Sequence, residues 1–201
     1  MAKLYFRYGA MNSGKSTALM QVAHNYEEQG MRVLILKPQV DTKGGGELVS
    51  RLGVRRKADL LIPPETDVFE AVRTANADGA PLACVLCDES QFFTAQQAEQ
   101  LFMVTVDLNI PVICYGLRAD FRGELFEGSY HLLVLADKLE EVKTICWCGK
   151  KAAFNARFDA AGHVVKEGAQ VVLGANDKYI GLCRRHWMAG DLGPDFDIHA
   201  L

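Results

Sequence analysis

Gly9-Ala10-Met11-Asn12-Ser13-Gly14-Lys15-Ser16 matches the pattern GxxxxGK[ST] in full. No other stretch constrains the fold as tightly, because the pattern works only where a strand runs through a glycine turn into the first turn of a helix. The flanks meet that demand. Lys3 to Tyr8 read as a short strand, and after Gly14 the residues Ala18, Leu19, Val22, Ala23 and Tyr26 recur at helical spacing until Gly30 ends the helix. The glycines let the backbone of residues 9–14 curl so that its N–H groups and the helix start point at phosphate oxygens. Lys15 adds a positive charge and Ser16 a hydroxyl ligand for Mg²⁺.

Past Gly30, strand and helix patterns alternate. Val33 to Leu36 is a continuous apolar run, as expected of a strand buried on both faces of a parallel sheet. Glu65 to Ala77 reads as a helix, Leu82 to Cys87 as a strand, Ala95 to Asp107 as a helix and Val112 to Tyr115 as a strand, with a further apolar run at His131 to Leu135. Residues 38–57, with glycines 44–46 and the basic cluster Arg51, Arg55, Arg56 and Lys57, show no clear period and are expected to form a long mobile loop. The fold class is α/β, a mostly parallel sheet with helices on its faces and ligands at the carboxyl ends of its strands. Beyond residue 140 short alternating stretches, Ala152 to Phe158 and Gln170 to Leu173, predict a small β-rich lobe. The expected division is a nucleotide-binding domain over 1–139, a lobe over 140–190 and a tail over 191–201. With 201 residues, 49% of them hydrophobic, the chain can bury such a core.

The apolar strand that ends at Cys87 is followed by Asp88-Glu89, which places two carboxylates at the same sheet edge as the phosphate loop. Asp88 suits the task of holding Mg²⁺, directly or through water, and Glu89 can accept a proton from the attacking nucleophile. Carboxylates of this kind are ionised at neutral pH. Whether the acceptor is water or a substrate hydroxyl is left open by these two motifs.

The six cysteines fall into two groups. Cys84, Cys87 and Cys114 lie in apolar runs and read as small packed hydrophobes, whereas Cys146, Cys148 and Cys183 lie in polar, glycine-rich sequence. Cys146 and Cys148, followed about 35 residues later by Cys183 and His186, form a Cys₃His set of the kind that closes a tetrahedral structural zinc site. Four protein ligands leave no open position, so one zinc per chain would hold the lobe together and take no part in chemistry.

Net charge is −3, which gives no general electrostatic reason for a nucleic-acid or membrane partner. Residues 140–190 carry eight Lys/Arg against five Asp/Glu, too thin an excess for a nucleic-acid-binding lobe driven by ATP. Arg7 and Gly9 interrupt the N-terminal apolar stretch before a signal-peptide core forms, and no apolar run reaches the roughly 18 residues of a membrane span. These features predict a soluble, cytoplasmic protein.

Four segments together carry a family resemblance. They are residues 9–16, Asp88-Glu89-Ser90-Gln91-Phe92-Phe93, the stretch Tyr115-Gly116-Leu117-Arg118-Ala119-Asp120-Phe121-Arg122-Gly123-Glu124-Leu125-Phe126, and the Cys/His lobe with Lys178-Tyr179. Over nearly its whole length the chain resembles the cytosolic-type thymidine kinases, and closely their bacterial members. The resemblance implies a P-loop core of RecA-like type, a zinc lobe whose lasso loop closes over thymidine, a homotetramer and feedback inhibition by dTTP. It implies ATP-dependent phosphorylation of the thymidine 5′-hydroxyl in pyrimidine deoxynucleoside salvage. By position, Glu89 becomes the base, and Ser90 and Gln91 join residues 9–16 and Asp88 around ATP. Phe92, Leu117, Phe121 and Phe126 become walls around thymine and sugar, and Tyr179 closes the site from the lobe. Aromatic walls suit a pyrimidine, which is flat and apolar on its faces.

Two departures stand out. The family shows Asp-x-Arg after the second strand where this chain has Asp41-Thr42-Lys43, which removes a bidentate guanidinium, with Arg51 a candidate substitute. The first cysteine pair is CxC, unlike the CxxC of the animal-type enzymes and similar to one bacterial subgroup.

Overall fold

A computed structural model describes residues 1–40, 46–49, 53–171 and 178–196. Six parallel strands form the central sheet. They are β1 (Leu4–Tyr8), β2 (Arg32–Pro38), β5 (Leu60–Ile62), β6 (Leu82–Cys87), β7 (Val112–Gly116) and β8 (Lys138–Glu141), in the spatial order β5-β2-β6-β7-β1-β8. The apolar runs of β2, β6 and β7 are explained by burial on both faces. In β6, Cys84 and Leu86 face one core while Val85 and Cys87 face the other, the two-residue period of a strand between two helical layers.

Helix α1 (Lys15–Glu28) covers one face through Leu19, Met20 and Ala23, with Ala18, Val22 and Tyr26 packed beside them. Helices α2 (Val68–Ala77), α3 (Ala95–Asp107) and α4 (Glu127–Leu135) cover the opposite face. The run His131 to Leu135 is the last part of α4, whose Leu132 is fully buried. Asp67 caps α2 by accepting the Glu70 N–H, and Thr94 with Gln97 forms a reciprocal capping box on α3. Arg7 stitches three neighbouring strands together, donating from Nε to Glu140 on β8 (2.6 Å) and from a terminal nitrogen to the Tyr115 hydroxyl on β7 (2.6 Å).

Where a long mobile loop is expected over 38–57, the described residues include two short paired strands. Strand β2 runs through Pro38, and β3 (Glu47–Val49) pairs antiparallel with β4 (Arg55–Lys57). Leu48 pins this hairpin into the core under α1, and Arg56 grips Glu27 of that helix with two hydrogen bonds. One buried side chain and a ladder of three pairs hold it, too little periodicity to read among so many charges. Asp41, Thr42, Lys43 and Arg51 lie outside the described residues.

The remaining strands are β9 (Thr144–Ile145), β10 (Lys151–Ala152), β11 (Phe154–Phe158), β12 (Val164–Val165) and β13 (Lys178–Leu182), followed by the short helix α5 (Arg184–Ala189). They make a two-stranded β10-β9 sheet and a three-stranded β12-β11-β13 sheet around a small core of Ala156, Phe158 and Leu182. Leu192 and Phe196 pack against this core, and residues 197–201 lie outside the described residues. Gln170 and Val171 form a bend and no strand, and residues 172–177, part of the expected lasso stretch between Cys148 and Cys183, lie outside the described residues. No helix among the described residues is long and apolar enough to cross a membrane.

Candidate active site and metal centre

The phosphate loop leaves the end of β1 and enters α1 at Gly14, whose φ of 82° belongs to the left-handed region that glycine adopts without strain. Among the described residues no side chain caps this helix, so the amides of its first turn are open to an anion. Lys15 folds back over the loop, donating from Nζ to the Ala10 carbonyl (2.8 Å) and to Ser13 Oγ (3.3 Å). Burial lowers the pKa of its ammonium, against the opposing pull of the Glu89 and Asp88 charges.

Strand β7 lies between β1 and β6, so the loop after β1 and the carboxylates after β6 meet above it. Ser16 Oγ donates to both Asp88 oxygens, at 3.1 and 3.3 Å. Burial, with the charge of Glu89 next in importance, pushes the Asp88 carboxyl up to about 6. A hydroxyl and a carboxylate in contact beside a buried ammonium form a compact oxygen pair suited to a hard divalent cation.

Glu89 has a φ of 49°, a left-handed conformation that side chains rarely adopt. Its carboxylate accepts a 2.6 Å hydrogen bond from Gln91 Nε2, and Gln91 Oε1 in turn accepts the Leu117 N–H at 2.9 Å. Ser90 is fully buried and donates to the Tyr115 carbonyl (2.9 Å). The side chains of Ser90 and Gln91 thus brace the turn that presents Glu89. Helix α4 presses on the same turn at Gly128, where a Cβ would lie 2.6 Å from the Phe93 carbonyl oxygen, so only glycine lets the two backbones meet.

Glu89 opens into a cavity of about 290 Å³ whose walls include Phe92, Leu117, Phe121, Phe126 and Tyr179. All five wall residues expected from the sequence therefore line one space. Phe92 and Phe126 meet edge to face at 5.6 Å, while Phe93 is buried in the core. Met11 also lines this cavity, so the phosphate loop forms part of its wall. Lys37, Asp120, Asn155 and Gln170 line it as well and were not singled out from sequence. Lys37 stands near the end of a strand, where α/β ligands collect, and Asp120 lies inside the 115–126 motif, so both had a signal. Asn155 and Gln170 had none.

Cys146, Cys148, Cys183 and His186 converge, with one ligand atom from each lying within 4.8 Å of all the others. Cys146 Sγ is 3.3 Å and Cys183 Sγ 3.6 Å from His186 Nδ1, and the Cys148 and Cys183 sulfurs are 3.9 Å apart. Zinc bonds of about 2.3 Å to sulfur and 2.0 Å to nitrogen in a tetrahedron require ligand separations of this size, so the donor set fits a structural zinc. The close bite of CxC is no obstacle. Trp147, the residue between its two cysteines, stacks on the His186 ring at 4.2 Å. In the other cysteine group, burial pushes the Cys84 thiol up to about 12 and Cys87 well above its ordinary value, as expected of packed, unreactive side chains.

A family model described as thymidine kinase matches residues 2–187. A thymidine kinase of Ruegeria pomeroyi is 49% identical over 196 residues, covering 96% of this chain and 98% of the relative. One from Photorhabdus laumondii is 51% identical over 189 residues, 94% of this chain and 93% of its own. One from Salmonella typhimurium is 50% identical over 188 residues, 93% of this chain and 91% of its own.

Proposed function

Since the chain belongs to the thymidine kinase family, we propose that it transfers the γ-phosphoryl group of ATP to the 5′-hydroxyl of thymidine, with Glu89 as the base. The observation that carries this reading is the double placement of the Asp88-Glu89 pair. Asp88 is bonded to Ser16 of the phosphate loop, while Glu89 faces the aromatic cavity, so donor and acceptor sites meet across one peptide bond.

In this reading the loop amides and Lys15 hold the β- and γ-phosphates, and Ser16 and Asp88 hold Mg²⁺. The cation supplies charge neutralisation on the phosphates. Phe92, Leu117, Phe121, Phe126 and Tyr179 enclose the nucleoside and exclude water, which favours transfer to a hydroxyl over hydrolysis. As the 5′-oxygen forms its bond to the γ-phosphorus, its proton passes to Glu89 and the bond from that phosphorus to the β–γ bridging oxygen breaks, giving thymidine monophosphate and ADP. Ser90 and Gln91 act here by holding Glu89 in its left-handed turn. We draw the seam between the P-loop unit and the lobe after Glu141, because β8 hydrogen-bonds to β1. The homotetramer, the cytoplasmic setting and feedback by dTTP belong to the same reading and rest on the family resemblance.

Incubation with Mg·ATP and a panel of nucleosides tests the substrate. Thymidine is expected to be the best acceptor. Deoxyuridine should be usable and roughly tenfold to a hundredfold poorer, since one methyl contributes about 1 to 3 kcal/mol of discrimination. Purine deoxynucleosides should be rejected by the size of the cavity, and efficient phosphorylation of deoxyadenosine or deoxyguanosine would sink the assignment.

The metal is tested separately. Elemental analysis should find one zinc per chain, and Cys183→Ser should lose it. Because structural zinc binding is largely folding free energy, that variant should unfold its lobe at a lower temperature and bind thymidine far more weakly. A metal-free protein with full activity and unchanged melting would refute the ligand assignment.

A further inference from the structure

Asn155 is a polar side chain only 5% exposed, on strand β11 of the lobe, yet both ends of its carboxamide bond to other parts of the chain. Its Oδ1 accepts the Met11 N–H of the phosphate loop at 2.7 Å, and its Nδ2 donates to the Ala119 carbonyl at 2.9 Å. Both partners are backbone groups, one a pure donor and the other a pure acceptor, so chemistry fixes the orientation of the amide. The Met11 amide is thereby committed to the lobe and is unavailable to phosphate. Strand β13 also runs close beside the loop, since a Cβ added at Gly181 would lie 3.4 Å from the Met11 carbonyl oxygen.

The strand that carries Asn155 is tied in turn to the metal centre. Trp187, next to His186, donates its indole N–H to the carbonyls of both Asn155 (3.0 Å) and Phe121 (3.1 Å). A continuous chain of contacts therefore runs from the Cys₃His cluster through Trp187 and Asn155 to the phosphate loop, with Phe121 of the cavity wall held at the same joint.

We propose that Asn155 is a positioning residue through which the Cys/His lobe sets the shape of the phosphate loop. Ordering of the lobe, by metal or by nucleoside, then prepares the loop for nucleotide. The proposal rests on the reading of residues 9–16 as the ATP phosphate site. A half-buried loop amide left without a partner either reorients or costs free energy at each nucleotide-binding event, so the bond acts on nucleotide affinity even with no nucleoside present.

The test is binding of Mg·AMP-PNP, a non-hydrolysable ATP analogue, by calorimetry to the wild-type protein and to Asn155→Ala, each with and without thymidine. Expected are analogue binding about tenfold weaker in the variant without thymidine, and a several-fold gain in affinity on adding thymidine that is present in the wild type and lost in the variant. A side chain acting only as cavity wall would change thymidine affinity alone. One acting only in stability would lower the melting temperature and leave analogue affinity, measured on folded protein, unchanged. Either result overturns the proposal. If Asn155→Ala does not fold, hydrogen exchange on the wild-type protein decides. Removing metal with EDTA should expose the Met11 amide while amides of α1 and β2 stay protected, and a Met11 amide that stays protected overturns it. Failure of the functional reading is distinguishable, because a protein that binds the analogue but phosphorylates no nucleoside still gives the thymidine-free binding result and the exchange result.

Discussion

Glu89→Gln is expected to lower kcat roughly 10²- to 10⁴-fold while ATP and thymidine still bind. The substitution is unusually selective here. The carboxylate accepts one hydrogen bond, from Gln91 Nε2, and a glutamine amide can turn its oxygen to the same donor, so the brace and the left-handed turn are kept. What disappears is the group proposed to take the 5′-hydroxyl proton. Steady-state kinetics with analogue and nucleoside titrations check this. A variant that loses ATP binding yet turns over bound substrate at the normal rate would make Glu89 a metal-site or structural residue.

Lys15→Ala should reduce kcat/KM further, because the role proposed for Lys15 covers both ATP binding and transition-state charge. Its ammonium sits among the Ala10 carbonyl, Ser13, Asp88 and Glu89, where no other described residue of the loop brings a positive charge. Removing one preorganised charge of this kind costs about 10²- to 10³-fold in kcat, and weaker ATP binding multiplies that loss in kcat/KM. Lys15→Met keeps the apolar stem and should fail equally, separating charge from packing. Full turnover by both variants would remove the loop from the mechanism.

The strand–turn–helix arrangement of residues 4–28 was legible because it is a matter of local backbone geometry. A strand, a tight turn and a helix start must follow one another in the chain, so spacing alone reveals them. Asp88 and Glu89 were legible for a related reason, since the end of a buried parallel strand is a fixed place in any such sheet. The Cys₃His cluster announced itself by residue type. Asn155 and Gln170 did not, because their placement depends on how the lobe packs against the sheet, and an isolated amide in a polar stretch has no period or spacing to mark it. The β3–β4 hairpin was missed for want of apolar contrast, as Leu48 alone carries its burial. Strand β8, Lys-Leu-Glu-Glu over residues 138–141, reads as surface and becomes a strand only because β1 offers it a parallel edge.

The place of β1 in the sheet has a consequence for how the chain comes into being. Both of its neighbours arrive late, as Leu4 pairs with Val112 and Tyr5 with Ile113 and Lys138, whereas β2 finds β5 within some thirty residues. During synthesis β1 and the adjoining glycine turn therefore wait for a first sheet partner until residue 116 has emerged, and for the second until residue 141. Contacts so distant in sequence close slowly. Strand β1, made before every other strand of this sheet, is thus among the last to be paired, and through that interval Leu4 and Phe6, fully buried in the finished sheet, are exposed to whatever else the nascent chain can meet.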